Sequence, residues 1–192
     1  MIKDFSRKKI VVPQELWKDY NPSAMDLNIQ ELLFLEEQNY ILRRYEIDAI
    51  KAEDGMVKAT IKVTMPKADT KKILLLLGNY SAPPATSLVQ SLVSEGYIVI
   101  SPDLTGLSSY PTKYPKSLEY CLYSLETKKR LEFLEETSFE SNQYIYSKIV
   151  KRTLVFIREM YPEKDTILVT LGDSIEVGMQ TLGSLESHNV LG

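Results

Sequence analysis

The sequence predicts an α/β fold: a three-layer sandwich with helices on both faces of a mostly parallel sheet that begins with an antiparallel hairpin. Two observations predict this class. Apolar and polar residues alternate strictly over 57–65, which is typical of a strand with one face in water. Residues 73–77 and 97–100 are instead continuous apolar runs, which parallel strands show when both of their faces are buried.

The first 44 residues are predicted to be an arm followed by a helix. Residues 1–24 show no periodic apolar pattern and are expected to be irregular. Residues 25–41 carry apolar side chains at helical spacing, which predicts an amphipathic helix: Met25, Ile29, Leu32 and Leu33. Residues 45–192 then form the α/β domain.

The domain is predicted to open with a hairpin of two strands. Residues 45–51 form the first strand and 57–65 the second. Asp54 and Gly55 lie between them, and an Asp-Gly pair tolerates the positive φ that tight turns require. The hairpin is therefore expected near one edge of the sheet.

The rest of the chain alternates between strands and helices. Apolar residues at helical spacing predict the helix after the 73–77 strand, and Gly96 ends it: Ala85, Leu88, Val89 and Leu92. Further elements are expected in the order strand 97–100, helix 117–136, helix 141–160 and strand 166–171. With right-handed crossovers, the five strands are predicted to lie in the order 1-2-4-3-5.

The last of these strands would lie at an open edge of the sheet. An apolar edge that lacks a partner strand tends to pair with another chain, so we expect a homodimer through residues 166–171. The alternative is that the domain is incomplete and needs a missing C-terminal half. The final residues, 189–192, resemble the opening of a further strand, which favours an incomplete domain.

Composition excludes several classes of function. The 192 residues carry a net charge of −3 with acidic and basic residues interspersed, so no nucleic-acid partner is expected. No apolar run approaches the roughly 20 residues that span a bilayer, so no membrane association is expected. The single cysteine, Cys121, excludes an internal disulfide, and a reducing cytoplasm is the expected compartment. No metal-ligand spacing or phosphate-binding glycine loop is present, so no metal or cofactor is expected.

One segment points to chemistry. In residues 166–178 an apolar strand ends in Gly172-Asp173-Ser174 and continues into a segment that can be helical. Serine nucleophiles are presented on such strand-to-helix turns, which would expose the Ser174 Oγ at the edge of the sheet. The alternative role for Ser174 is as the N-cap of the following helix.

Three stretches in this order resemble the N-terminal half of the α/β-hydrolase fold, over roughly residues 45–185. The first is the Leu77-Gly78-Asn79-Tyr80 stretch after a buried strand. The second is 96–106, which looks like the family pattern G-Y-x-V-x-x-x-D-x-x-G. The third is 172–176, where the nucleophile elbow G-x-S-x-G belongs.

The resemblance implies an enzyme of carboxylesterase type that acts on a small-molecule ester. Ser174 would be the nucleophile, and the backbone N–H groups of Ile175 and of Asn79 or Tyr80 would form the oxyanion hole. The family's histidine base and acid lie on later strands. The only histidine here, His188, follows a predicted helix of about ten residues that would carry it about 15 Å from Ser174. Little or no turnover is therefore expected.

Two alternatives remain. Glu176 stands where the elbow has its last glycine, which favours a non-catalytic binding or assembly module on a hydrolase scaffold. The stretch Gly172-Asp173-Ser174-Ile175 with Gly178 also resembles the first block of the GDSL (SGNH) esterases, so a fragment of such an esterase is the second alternative. Asp103 is expected to cap the turn after its strand.

Overall fold

The computed structural model describes residues 20–52, 54–68, 70, 72–79, 83–104, 108–115, 136–183 and 190–191. Residues 117–135 of the predicted helix 117–136 lie outside this part of the chain, as do Tyr80, Cys121 and His188. The described strands are β1 Gln30–Glu36, β2 Tyr40–Ala52, β3 Gly55–Pro66, β4 Ile73–Leu77, β5 Ile98–Pro102, β6 Thr166–Thr170 and β7 Val190–Leu191. The described helices are α1 Thr86–Ser94, α2 Glu136–Met160 and α3 Ile175–Gly183.

All seven described strands belong to one sheet in the order β1-β2-β3-β5-β4-β6-β7. The five predicted strands correspond to β2 to β6, and their predicted order is confirmed. The pairs β1–β2, β2–β3 and β3–β5 are antiparallel. The pairs β5–β4, β4–β6 and β6–β7 are parallel. The sheet is therefore evenly mixed rather than mostly parallel.

Helices cover both faces of the sheet, so the predicted α/β sandwich is confirmed. On β4, Ile73, Leu75 and Leu77 belong to the larger core that also contains buried residues of α2 and α3. Leu76 points to the other face and packs with Val89 and other residues of α1. This alternation follows from the two-residue period of a strand, and it explains why β4 must be apolar throughout.

The predicted helix over 25–41 is wrong, because most of that segment is the edge strand β1. Its residues pair antiparallel with β2, with Leu33 opposite Arg44 and Phe34 opposite Arg43. The Arg43 guanidinium lies 4.9 Å from the centre of the Phe34 ring, and it covers one face of this exposed side chain. β1 thus belongs to the same sheet as β2 to β7.

Arg152, on α2, holds the segment before β1 in place. Its side chain is 1% exposed, and Nε donates a hydrogen bond to the Asp48 carbonyl at 2.9 Å. The guanidinium also donates to the carbonyls of Pro22, Met25 and Asp26. Burial lowers the pKa of Arg152, but these four acceptors keep the charge solvated by backbone dipoles.

Candidate active site

The segments that follow β4 and β6, which contain Asn79 and Ser174, meet at one end of the sheet. β4 and β6 are parallel neighbours, and Leu77 pairs with Thr170 at their carboxyl ends. The Leu171 N–H donates to the Leu77 carbonyl at 3.0 Å, which joins the start of both turns. In open α/β sheets ligands bind at this edge of the sheet, so the pair of turns is the candidate active site.

Ser174 lies at the end of a short 3₁₀ turn, Gly172–Ser174, and its side chain is fully buried, with 0% exposed. Its Oγ accepts a hydrogen bond from the Leu171 N–H at 3.0 Å. The hydroxyl faces two backbone acceptors, the Leu171 carbonyl at 3.0 Å and the Leu77 carbonyl at 3.1 Å. The predicted exposure of Oγ at the sheet edge is therefore wrong, because the tight turn folds the side chain back onto the strand ends.

Gly172 is the residue of this turn with unusual backbone geometry. Its φ is +54°, a region in which residues with a Cβ are strained. A Cβ built on Gly172 would lie 2.1 Å from the Oδ1 of Asn79. In a nucleophile elbow the serine itself occupies the strained position of the turn. Here that position is a glycine, and the serine follows two residues later.

The remaining predicted site residues surround this turn. Asn79 is exposed and approaches Gly172 across the gap between the two turns. Ile175 is the first residue of α3, and its side chain is 54% exposed. Glu176 is also exposed, and Gln143 on α2 donates a hydrogen bond to its Oε2. The structure thus brings Asn79 to the turn that contains Ser174, but it points the Ser174 hydroxyl away from solvent.

Asp103 caps a loop, as expected. Its Oδ2 accepts hydrogen bonds from the Ser108 hydroxyl and the Thr112 N–H, each at 3.1 Å. Asp103 also lines a cavity of about 10 Å³ beside Gly78 and Asn79. A cavity of this size holds about one water molecule.

Among the described residues, no group of three or more His, Cys, Asp or Glu side chains could hold a metal ion. Within the same residues, no helix is both long and apolar enough to cross a bilayer.

The fold is similar to that of solved esterase structures. No family model matches the chain, and no curated protein matches it. A protein assigned as an acetyl xylan esterase, from Bacteroides fragilis, superposes with a TM-score of 0.62 at 13% identity, over 90% of this chain and 48% of that one. Acetyl xylan esterase 1 from Thermoanaerobacterium sp. gives 0.58 at 12% identity, over 90% and 53%. Acetyl xylan esterase from Paenibacillus sp. R4 gives 0.54 at 16% identity, over 90% and 52%.

The chain spans about half the length of these structures. At such low sequence identity the likeness concerns the backbone fold alone. The chain therefore shares the fold of roughly one half of these esterase structures.

Proposed function

We propose that this chain is a non-catalytic binding module built on an α/β-hydrolase scaffold. The observation that supports it is the position of the Ser174 hydroxyl, which is buried and bonded to the backbone of Leu77 and Leu171. A nucleophilic serine needs its Oγ in contact with the substrate and within about 3 Å of a general base. Backbone carbonyls accept a hydrogen bond but do not remove the proton, so they do not activate the hydroxyl.

The second candidate function is ester hydrolysis of carboxylesterase type on a small-molecule ester. Two observations favour it: the likeness of the fold to esterase structures, and the meeting of the Asn79 turn with the Ser174 turn. In this case Ser174 would be the nucleophile, and the N–H groups of Ile175 and of Asn79 or Tyr80 would stabilise the oxyanion. The 3₁₀ turn would have to open first, so that Oγ reaches the substrate. A GDSL-type esterase fragment would also use Ser174 and stays a prediction.

A fluorophosphonate probe separates the two functions, because it labels an activated serine and leaves a structural one unmodified. The wild type, Ser174→Ala and Ser94→Ala are treated with the probe and assayed with p-nitrophenyl acetate. Ser94 lies on the exposed side of α1, so its variant controls for the loss of an irrelevant hydroxyl. We expect equal, background labelling and hydrolysis for all three proteins. Labelling of the wild type and of Ser94→Ala, but not of Ser174→Ala, would refute the proposal of a non-catalytic binding module and support the esterase function.

A homodimer through the edge of β6 is a further part of this proposal. β7 pairs with only Thr166 and Ile167 of β6. Among the described residues, the outer edge of Leu168–Thr170 has no partner strand. Backbone groups on an open edge favour pairing with a second strand. Sedimentation equilibrium is expected to give twice the monomer mass, and a monomer at all concentrations would contradict the dimer.

A further inference from the structure

A cavity of about 240 Å³ lies between α1 and the face of the sheet that α1 covers. None of its lining residues belongs to the Ser174 turn, but it shares with the small cavity beside Asn79 the residues Pro83, Pro84, Pro102 and Asp103. Its lining is divided about equally between polar and apolar surface, and its polar residues include Arg44, Lys62, Thr86, Ser101, Asp103 and Ser109. Such a concave site with converging polar groups is the usual form of a small-molecule site.

Two cations lie side by side in this cavity, on neighbouring strands. Arg44 on β2 is directly opposite Lys62 on β3 in the antiparallel register. Like charges at directly opposite positions destabilise a sheet. Lys58, which follows Thr60 on this face of β3 towards the turn, is instead paired with Asp48 across the strands. Within the described residues, neither Arg44 nor Lys62 has an ion-pair partner.

The two cations are held at this position by packing. The Arg44 guanidinium lies 4.9 Å from the centre of the Tyr110 ring, which orients it. In the described part of the chain, the Arg44 Nε is buried and has no hydrogen-bond acceptor. Burial lowers the pKa of Lys62, and the charge of Arg44 lowers it further. An unpaired, partly buried pair of cations is costly for the fold, so a ligand that neutralises it would be bound strongly.

Asp103 reduces the positive charge of the cavity but does not cancel it. Its Oδ2 already accepts hydrogen bonds from Ser108 and the Thr112 N–H, which fix it to the 108–112 loop. Two cations and one carboxylate leave the lining with a net positive charge. Hydroxyl groups of Thr86, Ser101 and Ser109 also line the cavity and can donate hydrogen bonds.

We propose that this cavity binds the phosphate group of a small phosphate monoester, with Arg44 and Lys62 as its two cationic contacts. The number of acceptor oxygens favours phosphate over carboxylate. A phosphate monoester carries a charge of about −1.5 to −2 at pH 7 and offers three acceptor oxygens. A carboxylate offers only two oxygens, whereas two cationic side chains and the hydroxyl residues Thr86, Ser101 and Ser109 line the cavity as donors. The cavity is larger than a bare phosphate, so a small organic group can accompany it. This site does not depend on whether Ser174 is catalytic.

The test measures thermal unfolding of the full chain with inorganic phosphate, glycerol 3-phosphate or acetate, each against sodium chloride at equal ionic strength. The variants are Arg44→Gln and Lys62→Gln. Lys72→Gln is the matched control, since Lys72 precedes the amino end of β4, away from the cavity, and forms an ion pair with Asp165. Line broadening of the ³¹P resonance of each phosphate by the wild type gives a second measurement that needs no variant.

We expect both phosphates to raise the midpoint temperature of thermal unfolding of the wild type and of Lys72→Gln in a saturable manner. Acetate should leave this temperature unchanged. Each of the two cavity variants should weaken phosphate binding at least tenfold. Without phosphate, Lys62→Gln should be as stable as the wild type or more so, because the repulsion with Arg44 is removed. Equal protection of wild type and cavity variants, equal protection by acetate, or no protection together with an unbroadened ³¹P resonance would each overturn the proposal. Fluorophosphonate labelling of Ser174 would leave it intact.

Discussion

Replacing Ser174 by alanine is expected to destabilise the fold, which is the opposite of what removal of an exposed nucleophile does. The Ser174 Oγ accepts a hydrogen bond from the Leu171 N–H and donates to a carbonyl of Leu77 or Leu171. All of this takes place at a fully buried position. A serine that is presented to a substrate makes no such contacts with the strand ends, so its removal leaves the fold unchanged.

The magnitude follows from the number of hydrogen bonds lost. A buried hydrogen bond contributes about 0.5–1.5 kcal/mol net, and the hydroxyl takes part in one as acceptor and one as donor. The Leu171 N–H keeps the Leu77 carbonyl as an acceptor at 3.0 Å, which limits the penalty. We therefore expect Ser174→Ala to lower the free energy of unfolding by about 1–2 kcal/mol. For a chain of this size that corresponds to a decrease in Tm of about 2–8 °C.

Urea unfolding followed by circular dichroism, together with thermal unfolding, measures this change. Ser94→Ala is the control, because the Ser94 hydroxyl donates to the Gln90 carbonyl on an exposed helix surface. That variant should stay within about 0.5 kcal/mol of the wild type. If Ser174→Ala is as stable as Ser94→Ala, the hydrogen bonds of Oγ do not hold the turn, and the structural role assigned to Ser174 is refuted.

Three further predictions concern the same scaffold. Gly172→Ala should lower the free energy of unfolding in urea by about 1–3 kcal/mol, because Gly172 has a positive φ. Adding Asn79→Ala to this variant should restore only the part of the loss that is due to the clash with the Asn79 side chain. A Gly172→Ala variant as stable as the wild type would contradict the turn geometry. Arg152→Met should lower the free energy of unfolding by about 3 kcal/mol or more, because it leaves several backbone carbonyls without their hydrogen-bond donor. Limited proteolysis near residues 22–26 should also become faster. Unchanged stability and cleavage would show that Arg152 does not hold this segment. Burial would raise the pKa of Asp48, but the hydrogen bond from Lys58 and other favourable contacts outweigh burial, so the pKa of Asp48 is lowered. The ionised Asp48 side chain therefore stabilises the fold fully above about pH 4, and this stabilisation is lost as the pH falls through the lowered pKa. In urea unfolding, the stability of Asp48→Asn should lack this pH dependence. A variant whose stability falls in acid as much as that of the wild type would refute the prediction.

The strand order could be predicted from the sequence, whereas the nature of β1 could not. The apolar run Leu32–Leu35 fits a helix face as well as a strand, and its flanking residues favour neither. The segment forms a strand because it pairs with the edge of β2 that would otherwise be free. Phe34 and Leu35 remain 45% exposed, so burial did not impose a two-residue period that the sequence could reveal.

The candidate site was predictable in its location but not in its geometry. The strand order alone places the turn after β4 beside the turn after β6. Which residue of Gly172–Ser174 takes the positive φ depends on the packing of the turn against Asn79, and no local pattern encodes it. The pairing of Arg44 with Lys62 likewise requires the register of the hairpin, since a slip of one residue would move either side chain to the other face.

The division of the sheet into two halves has a consequence for synthesis on the ribosome. β2 and β3 are joined by a two-residue connection between Ala52 and Gly55, so this half can form as soon as it emerges. β4 must wait for β6, its partner roughly 90 residues later in the chain. At a translation rate of about 5–20 residues per second, the leucine-rich β4 lacks one neighbour for about 5–20 s. During that interval the nascent chain exposes an apolar strand that is buried in the folded protein, and chaperone binding at Ile73–Leu77 would protect it.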